Sequence, residues 1–148
     1  MLSQATAYAA TALGCIAAMG GKPVLVKVIA EACETPAAYL AKIVNQLAKR
    51  KLVVTQRGVG GGVSLARRPQ DISLLEICLA LEDPVVQPRC MLGSEQCSND
   101  RACPAHDFCV SHREKLTNFL QNTTIADIAA FETRRRWKAS NAAESVRV

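Results

Sequence analysis

The fold is decided by the segment from residue 35 to residue 65, which reads TPAAYLAKIVNQLAKRKLVVTQRGVGGGVSL. Its first half predicts a helix up to about Arg50, with Thr35 as the N-cap and Pro36 as the first helical residue. Apolar residues recur in this helix at i, i+3, i+4 and i+7, so one stripe should face the core. The opposite face is polar and basic, and it carries Ala38, Tyr39, Lys42, Asn45, Gln46 and Lys49.

A shorter helix is predicted just before this one. Residues 24–33 carry apolar side chains in helical spacing, and only a tight turn separates them from the next helix. Two helices joined in this way predict a helix-turn-helix, whose second helix can lie in the major groove of DNA. A further helix is expected over residues 3–19, because Ser3 can cap its start and Gly20 can stop it.

The second half of the quoted segment predicts a β-hairpin wing. Residues 52–55 and 63–65 resemble strands, and the glycine-rich stretch RGVGGG separates them. Glycines permit positive φ and a close approach of backbones, so Arg57 at the tip can enter a narrow DNA groove. The predicted DNA-contacting residues are Thr35, Ala38, Tyr39, Lys42, Gln46, Lys49, Arg57, Gly58 and Gly60.

A cysteine-rich loop follows further along the chain. It holds Cys90, Cys97, Cys103 and Cys109, with His106 between the last two. Thiolates and an imidazole this close in sequence can converge on one metal centre. Three thiolates and an imidazole suit an iron–sulfur cluster and also zinc, and two of the thiols could instead form a disulfide on oxidation.

Helices flank this loop on both sides. Ser73 and Glu76 form a capping box that opens a helix through Leu81. After the loop, a longer helix is expected from Pro104 to about Gln121. Its single apolar stripe lies outside the winged domain, which favours dimerisation.

The end of the chain is predicted to be less ordered. Thr124 with Asp127 caps a last short helix that ends at Phe131, and the basic tail after it is expected to be disordered. The predicted division is a DNA-binding domain at 1–83, a cluster-binding loop at 84–103, a dimerisation helix with a short C-terminal helix at 104–131, and the tail at 132–148.

Composition limits the class of protein. A chain of 148 residues with 49% hydrophobic and 4% aromatic content predicts one mostly α domain, or one such domain with an extension. No secretory leader or membrane-spanning run is visible, so we expect a soluble, cytoplasmic protein whose seven cysteines are reduced. Three of those cysteines lie in apolar helical runs and are interpreted as small buried hydrophobic residues. They are Cys15, Cys33 and Cys78.

Charge separates the two halves of the chain. Residues 1–70 contain nine Lys or Arg against two acids, a balance of +7, whereas residues 71–148 contain nine bases against eleven acids, a balance of −2. A basic first half favours binding to a polyanion such as DNA and argues against a simple iron–sulfur electron carrier. No nucleophile, base and orienting group can be assembled from the motifs, so we expect no enzyme activity.

Four stretches resemble one known family. They are the opening MLSQATAYA, the run YLAKI at 39–43, the wing RGVGGG at 57–62, and ISLLEI at 72–77. These are similar to the IscR/NsrR-type regulators of the Rrf2 family, over residues 1 to about 131. The resemblance implies a homodimer that binds palindromic double-stranded DNA and whose binding is controlled by an iron–sulfur cluster, through redox, iron–sulfur status or nitric oxide sensing.

The resemblance also implies a ligand set. The three cysteine ligands of the family correspond to Cys90, Cys97 and Cys103, and the fourth ligand varies among members. IscR-like members use a histidine three residues after the third cysteine, which is His106 here. NsrR-like members use an acidic residue from the first helix of the partner, where this chain has Tyr8. A [2Fe–2S] cluster is therefore favoured over [4Fe–4S], with Cys109 or Tyr8 as alternative fourth ligands.

Overall fold

The computed structural model describes residues 1–93 and 95–145, with side chains described as far as Arg136. Within that part, six α-helices and one two-stranded hairpin follow one another along the chain. They are α1 (Gln4–Ala18), α2 (Val26–Ala32), α3 (Ala37–Lys49), β1 (Val53–Gln56), β2 (Gly62–Leu65), α4 (Leu74–Ala80), α5 (His106–Asn122) and α6 (Ile125–Ser145). The predicted class, mostly α with a small hairpin wing, is confirmed.

The apolar stripe of α3 forms the centre of the half that is predicted to bind DNA. Leu40, Ile43, Val44 and Leu47 are all buried, as their spacing predicts. They join a core formed mainly by α1, α2 and α4, in which Leu13, Ile29 and Ile77 are almost completely covered. Burial of one stripe leaves the other face of α3 in solvent, and that face is the one the sequence assigns to DNA.

The turn between α2 and α3 differs from the prediction. Thr35 does not cap α3, because its hydroxyl donates to the carbonyl oxygen of Cys33 at 3.2 Å. Its backbone N–H donates to the carbonyl of Ala30 at 2.9 Å, so Thr35 closes the turn instead. Glu34 takes a left-handed conformation with φ of 52°, and α3 begins at Ala37 with Pro36 in the N-cap position.

The hairpin forms as predicted, with its strands shifted by about one residue. β1 and β2 run antiparallel in a register that pairs Val53 with Leu65 and Gln56 with Gly62. Val63 is 2% exposed and exchanges two backbone hydrogen bonds with Val24, of 2.9 and 2.7 Å. The base of the wing is thereby fixed to the segment that leads into α2.

Both predicted capping boxes are present, and they lie side by side. The Ser73 hydroxyl accepts from the backbone N–H of Glu76, whose carboxylate accepts from the N–H of Ser73. Thr124 and Asp127 make the same pair of bonds at the start of α6. Backbone bonds between the two boxes join the start of α4 to the start of α6.

The largest departure from prediction is α6, which continues to Ser145 instead of ending at Phe131. The expectation of a disordered tail is therefore wrong for residues 132–145, and residues 146–148 lie outside the described part. The helix packs along α1, where a Cβ on Gly14 would meet Ile128 Cγ2 at 2.6 Å. Glu132 is 3% exposed and pairs with Arg135 at 3.0 Å, so the helix is held well beyond Phe131.

α5 begins at His106, two residues later than predicted, because Pro104 and Ala105 form a turn before it. Only Leu120 is buried among its residues, while Phe108 and Phe119 are 61% and 57% exposed. The helix contacts α4 on one side. Its role in dimerisation stays a prediction. Among the described residues, no helix is both long and apolar enough to cross a membrane.

Candidate functional site

The outer face of α3 forms an exposed polar surface. Five of the predicted DNA-contacting residues lie on it in solvent: Ala38, Tyr39, Lys42, Gln46 and Lys49. Tyr39 is 37% exposed and packs edge-on against Tyr8 of α1, with ring centroids 5.8 Å apart. Thr35 does not belong to this surface, since it is only 6% exposed and its hydroxyl is bonded within the turn.

A groove separates α3 from the wing. It has a volume of about 430 Å³, and its walls include Ala41 and Asn45 from α3 together with Arg57 and Gly58 from the hairpin. Arg57, Gly58 and Gly60 are exposed at the tip, and the two glycines have φ of 88° and 75°. Asn45 was noted on the outer face but was not among the predicted contacts, and it lines this groove.

The cysteine loop is held by few internal bonds. Arg89 and Gln96 form an isolated bridge, and the N–H of Cys90 donates to the carbonyl of Glu95 at 3.1 Å. The four loop cysteines are all half-buried free thiols: Cys90, Cys97, Cys103 and Cys109. Among the described residues of this loop, none of the side chains between positions 87 and 105 is fully buried. The loop therefore lacks an apolar core of its own.

One pair of predicted ligands is in contact. Cys97 Sγ and His106 Nδ1 are 3.3 Å apart at the start of α5. Two ligands of one tetrahedral metal, with bonds of about 2.3 Å to sulfur and about 2.0 Å to nitrogen, lie about 3.5 Å apart. The N–H of His106 also donates to the carbonyl of Cys103 at 3.0 Å, which brings the backbone of the third cysteine to the same corner.

The remaining candidates are not gathered into one site. Cys90 and Cys109 line a cavity of about 300 Å³ together with Phe108 and His112. Within the described residues, no three His, Cys, Asp or Glu side chains converge on a single point. The donor set nevertheless fits an iron–sulfur centre chemically, because a two-iron cluster takes its four protein ligands as two pairs. The distance between Cys97 and His106 is compatible with one such pair.

Within this chain, Tyr8 of α1 packs against α3. Its ring packs on Tyr39, and its hydroxyl accepts from the side-chain amide of Gln4 at 3.2 Å. Tyr8 therefore contributes to the contact between α1 and the exposed face of α3. Its use as a ligand depends on a second chain.

The cysteines outside the loop are not equivalent, which the sequence did not indicate. Cys78 is completely buried without a thiol neighbour, and burial raises its pKa to about 11. Cys15 and Cys33 are also buried, but their sulfur atoms lie 3.0 Å apart and the guanidinium of Arg136 contacts Cys15. All three cysteines are buried in the core, as predicted, but Cys15 and Cys33 also make a thiol–thiol contact that the prediction did not include. No local pattern could reveal this contact, because it joins residues 18 and 121 positions apart.

The pKa values of the Cys15 and Cys33 thiols are shifted in opposite directions. The hydrogen bond from the Cys33 thiol lowers the pKa of Cys15 to about 7, and the charge of Arg136 acts in the same direction against the effect of burial. The pKa of Cys33 is raised, because its proton is held in the bond to Cys15 and its side chain is buried.

Comparison with known proteins places these features in a family. The sequence model of the Rrf2 family, described as an iron-dependent transcriptional regulator, matches residues 2–130. The chain is similar to the HTH-type transcriptional regulator IscR of Sodalis glossinidius, with 32% identity over 126 residues that cover 84% of this chain and 76% of that protein.

Solved structures show the same architecture. The chain is similar to CymR, the global cysteine regulator of B. subtilis, with a TM-score of 0.75 and 25% identity over 88% of this chain and 97% of that one. It is also similar to IscR of T. potens, with a TM-score of 0.69 and 26% identity over 86% of this chain and 85% of that one.

Proposed function

Because the chain belongs to the Rrf2 family of non-enzymatic, DNA-binding transcriptional regulators, we propose that it acts in the cytoplasm as a homodimer whose affinity for a palindromic operator is controlled by an iron–sulfur cluster. The family assignment confirms the predictions of a transcriptional regulator and of a protein that is not an enzyme. The dimer, the cluster and its control of DNA binding are the parts proposed.

The docking proposal follows from the two exposed surfaces of the DNA-binding half. α3 enters the major groove with Tyr39, Lys42 and Gln46 towards the bases, and the wing brings Arg57 to the adjacent minor groove. Lys49 lies one turn further along the same face and contacts phosphate. Support comes from the exposure of all these side chains and from the groove of about 430 Å³ between α3 and the hairpin.

A dimer is supported by α5. Phe108 and Phe119 expose large aromatic surfaces on a helix that buries only Leu120 in its own chain. A second copy of the same helix would cover these rings. A palindromic site then follows, since a two-fold dimer presents two copies of α3 about one DNA turn, or roughly 34 Å, apart.

The contact between Cys97 and His106 is the observation that carries the cluster proposal. Cys90, Cys97, Cys103 and His106 would hold a [2Fe–2S] cluster, with Cys109 or a partner's Tyr8 as the alternatives to His106. A bound cluster supplies one-electron redox chemistry and reactivity towards small oxidants. His106 is favoured because it begins α5 beside Cys97, whereas Cys109 lies one turn deeper and faces the cavity that Cys90 also lines.

A change in the position of the loop can change the affinity for DNA. Its last cysteine, Cys103, is joined by a backbone hydrogen bond to His106, the first residue of α5. A ligated loop would be fixed to that helix by metal–ligand bonds, whereas an unligated loop is joined to it by weaker contacts such as those of Cys97 and Cys103 with His106. If α5 forms the dimer contact, ligation changes the spacing of the two α3 helices and therefore the affinity for DNA.

Two other uses of the same cysteines compete with a cluster. Zinc would also accept Cys97, His106 and two further thiolates, and would stabilise the loop without redox chemistry. A cluster-free thiol switch is favoured by the likeness to CymR of Staphylococcus aureus, whose structure has been solved in an oxidized form. The iron, sulfide and zinc content of the purified protein distinguishes an iron–sulfur cluster, a zinc site and a metal-free thiol switch.

The experiment compares cluster-loaded and cluster-free protein on one duplex, selected from a random library, by fluorescence anisotropy under anaerobic conditions. We expect the two forms to differ in affinity at least tenfold. Cys97→Ser should behave as the cluster-free protein, and Cys78→Ser, which changes a buried thiol outside the loop, should behave as wild type. Equal affinities of the loaded and cluster-free forms would contradict the proposed control.

A further inference from the structure

Cys15, Cys33 and Arg136 form a thiol cluster outside the cysteine loop. Cys15 lies near the end of α1 and Cys33 directly after α2, and their sulfur atoms are 3.0 Å apart. Arg136 of α6 contacts Cys15 Sγ and reaches the carbonyl of Ala32 at 3.5 Å. Three separate helices thus bring two thiols and one cation together.

We propose that Cys15 and Cys33 are a redox modification site, at which a small hydroperoxide oxidises the two thiols to a disulfide. A disulfide needs a sulfur–sulfur bond of about 2.05 Å, so each sulfur must move by only about half an ångström towards the other. Cys78, which has no thiol neighbour, does not share this property.

The oxidant can reach the site from one side. Cys33 lines a cavity of about 320 Å³ between α1 and α6, together with Tyr8, Thr11 and Phe131. Cys33 is 8% exposed and Cys15 is 0% exposed, so Cys33 is the sulfur that meets a molecule entering this cavity. A small peroxide fits easily into such a volume.

The charge arrangement supports the chemistry. Reaction with a peroxide requires a thiolate, and the positive guanidinium of Arg136 stabilises negative charge on the pair. The lowered pKa of Cys15 means that the pair carries one negative charge in a substantial fraction of molecules near neutral pH. The Cys15 thiolate can act as the base that takes the proton of Cys33 through their 3.0 Å contact while the Cys33 sulfur attacks, so the reaction does not need a separate Cys33 thiolate.

The reaction balances in two steps. The Cys33 sulfur attacks one peroxide oxygen, the O–O bond breaks, and Cys33 becomes a sulfenic acid while the leaving hydroxide takes the shared proton and departs as water. The Cys15 thiolate then attacks the Cys33 sulfur, the new S–S bond forms, and hydroxide leaves. The two sulfurs lose two electrons, and the peroxide gains them.

The bridge connects α1 to the turn of the helix-turn-helix. The carbonyl of Cys33 accepts from the hydroxyl of Thr35, the residue that closes the turn into α3. Oxidation therefore fastens the entrance of the DNA-reading helix to α1, independently of the cysteine loop.

Trypsin mapping tests the proposal without any substitution, because the sequence separates the cysteines cleanly. The expected peptides are 1–27 with Cys15, 28–42 with Cys33, 68–89 with Cys78, 90–101 with Cys90 and Cys97, and 102–113 with Cys103 and Cys109. The full-length protein is treated anaerobically with a small excess of hydrogen peroxide, its free thiols are alkylated, and the digest is analysed by mass spectrometry.

We expect a cross-linked species that joins peptides 1–27 and 28–42, while peptide 68–89 stays fully alkylated. Arg136→Gln should slow the appearance of the cross-link several-fold, and Arg134→Gln, which removes an exposed neighbouring charge, should not change it. Recovery of peptides 1–27 and 28–42 unlinked and alkylated, or of Cys33 bridged to a loop peptide instead, would overturn the proposal.

Discussion

The winged domain and the cysteine loop of this chain are stabilised by different means. In the winged domain, apolar residues such as Leu40 and Ile77 are completely covered, and hydrogen bonds close the turns between elements. In the described residues of the loop, the side chains are exposed or half-buried, and they are restrained by a few backbone bonds and by side-chain contacts such as the ion pair between Arg101 and Glu95. Burial and backbone hydrogen bonds together therefore fix the surface of α3 and the wing, whereas we propose that the loop is fixed by the group that its thiols bind.

The largest effect should come from removing core volume in the winged domain. Leu40→Ala deletes a side chain that is 0% exposed in the stripe of α3, and should lower the free energy of unfolding by about 2–5 kcal/mol. Leu92→Ala in the loop is the matched control, since Leu92 is 64% exposed and should change it by less than about 0.5 kcal/mol. Urea denaturation of both variants measures this, and similar losses would remove the distinction between the two regions.

A smaller change, in the free energy of DNA binding, is expected for substitutions in the wing and on α3. Arg57→Ala should weaken binding to a selected duplex by about 1–3 kcal/mol, because it removes a cation from the tip that enters the groove. Lys49→Ala should lower the slope of log affinity against log salt by about one, as expected for one lost phosphate contact. Anisotropy titrations at several salt concentrations measure both quantities. Arg134→Ala, which removes an exposed cation from α6, is the control, and unchanged binding by both Arg57→Ala and Lys49→Ala would exclude the proposed docking.

The smallest expected change is a loss of stability at Asp83. Its hydrogen bonds connect the start of the chain, at Ser3, to the start of the loop region, at Val85. It is 1% exposed, and its carboxylate accepts from the backbone N–H groups of Ser3 and Val85, each at 2.9 Å. Burial alone raises the pKa of Asp83, but hydrogen bonds from Thr6, Val85 and Ser3 outweigh it, so the pKa lies below its ordinary value.

A carboxylate with a lowered pKa in the folded state contributes stability that is present above its unfolded pKa of about 3.9. That contribution is lost as the pH falls through the lower, folded pKa. Asp83→Asn should therefore cost about 1–2 kcal/mol at pH 7 and much less near pH 2. Denaturation curves across this range measure it, with the exposed Asp100→Asn as control. A loss that does not depend on pH would show that charge is not involved.

Local patterns were sufficient to predict most of the winged domain. The stripe of α3, the hairpin and both capping boxes depend on residues within about ten positions of one another, so spacing alone reveals them. The N-cap at Thr35 failed because a competing acceptor, the carbonyl of Cys33, lies within the same turn. Such competition depends on backbone geometry that a residue pattern does not contain.

Features that depend on distant contacts could not be predicted. α6 continues past Phe131 because Glu132 and Arg136 pack near α1, and nothing in the sequence of the tail indicates that surface. The contact of Cys15 with Cys33 could not be predicted for the same reason, because it joins residues that are 18 positions apart. In the loop, the spacing predicted four ligands, and the structure brings Cys97 and His106 into contact. Among the described residues, no third side chain that could bind a metal joins this pair.

The visible absorption spectrum of anaerobically purified protein, recorded with its iron, sulfide and zinc content, tests the central claim most directly. The account predicts a coloured protein with thiolate-to-iron charge-transfer bands, iron and sulfide in equal amounts, and loss of both in Cys97→Ser but not in Cys78→Ser. A colourless protein that contains zinc or no metal, and that cannot be reconstituted with iron and sulfide, would contradict it.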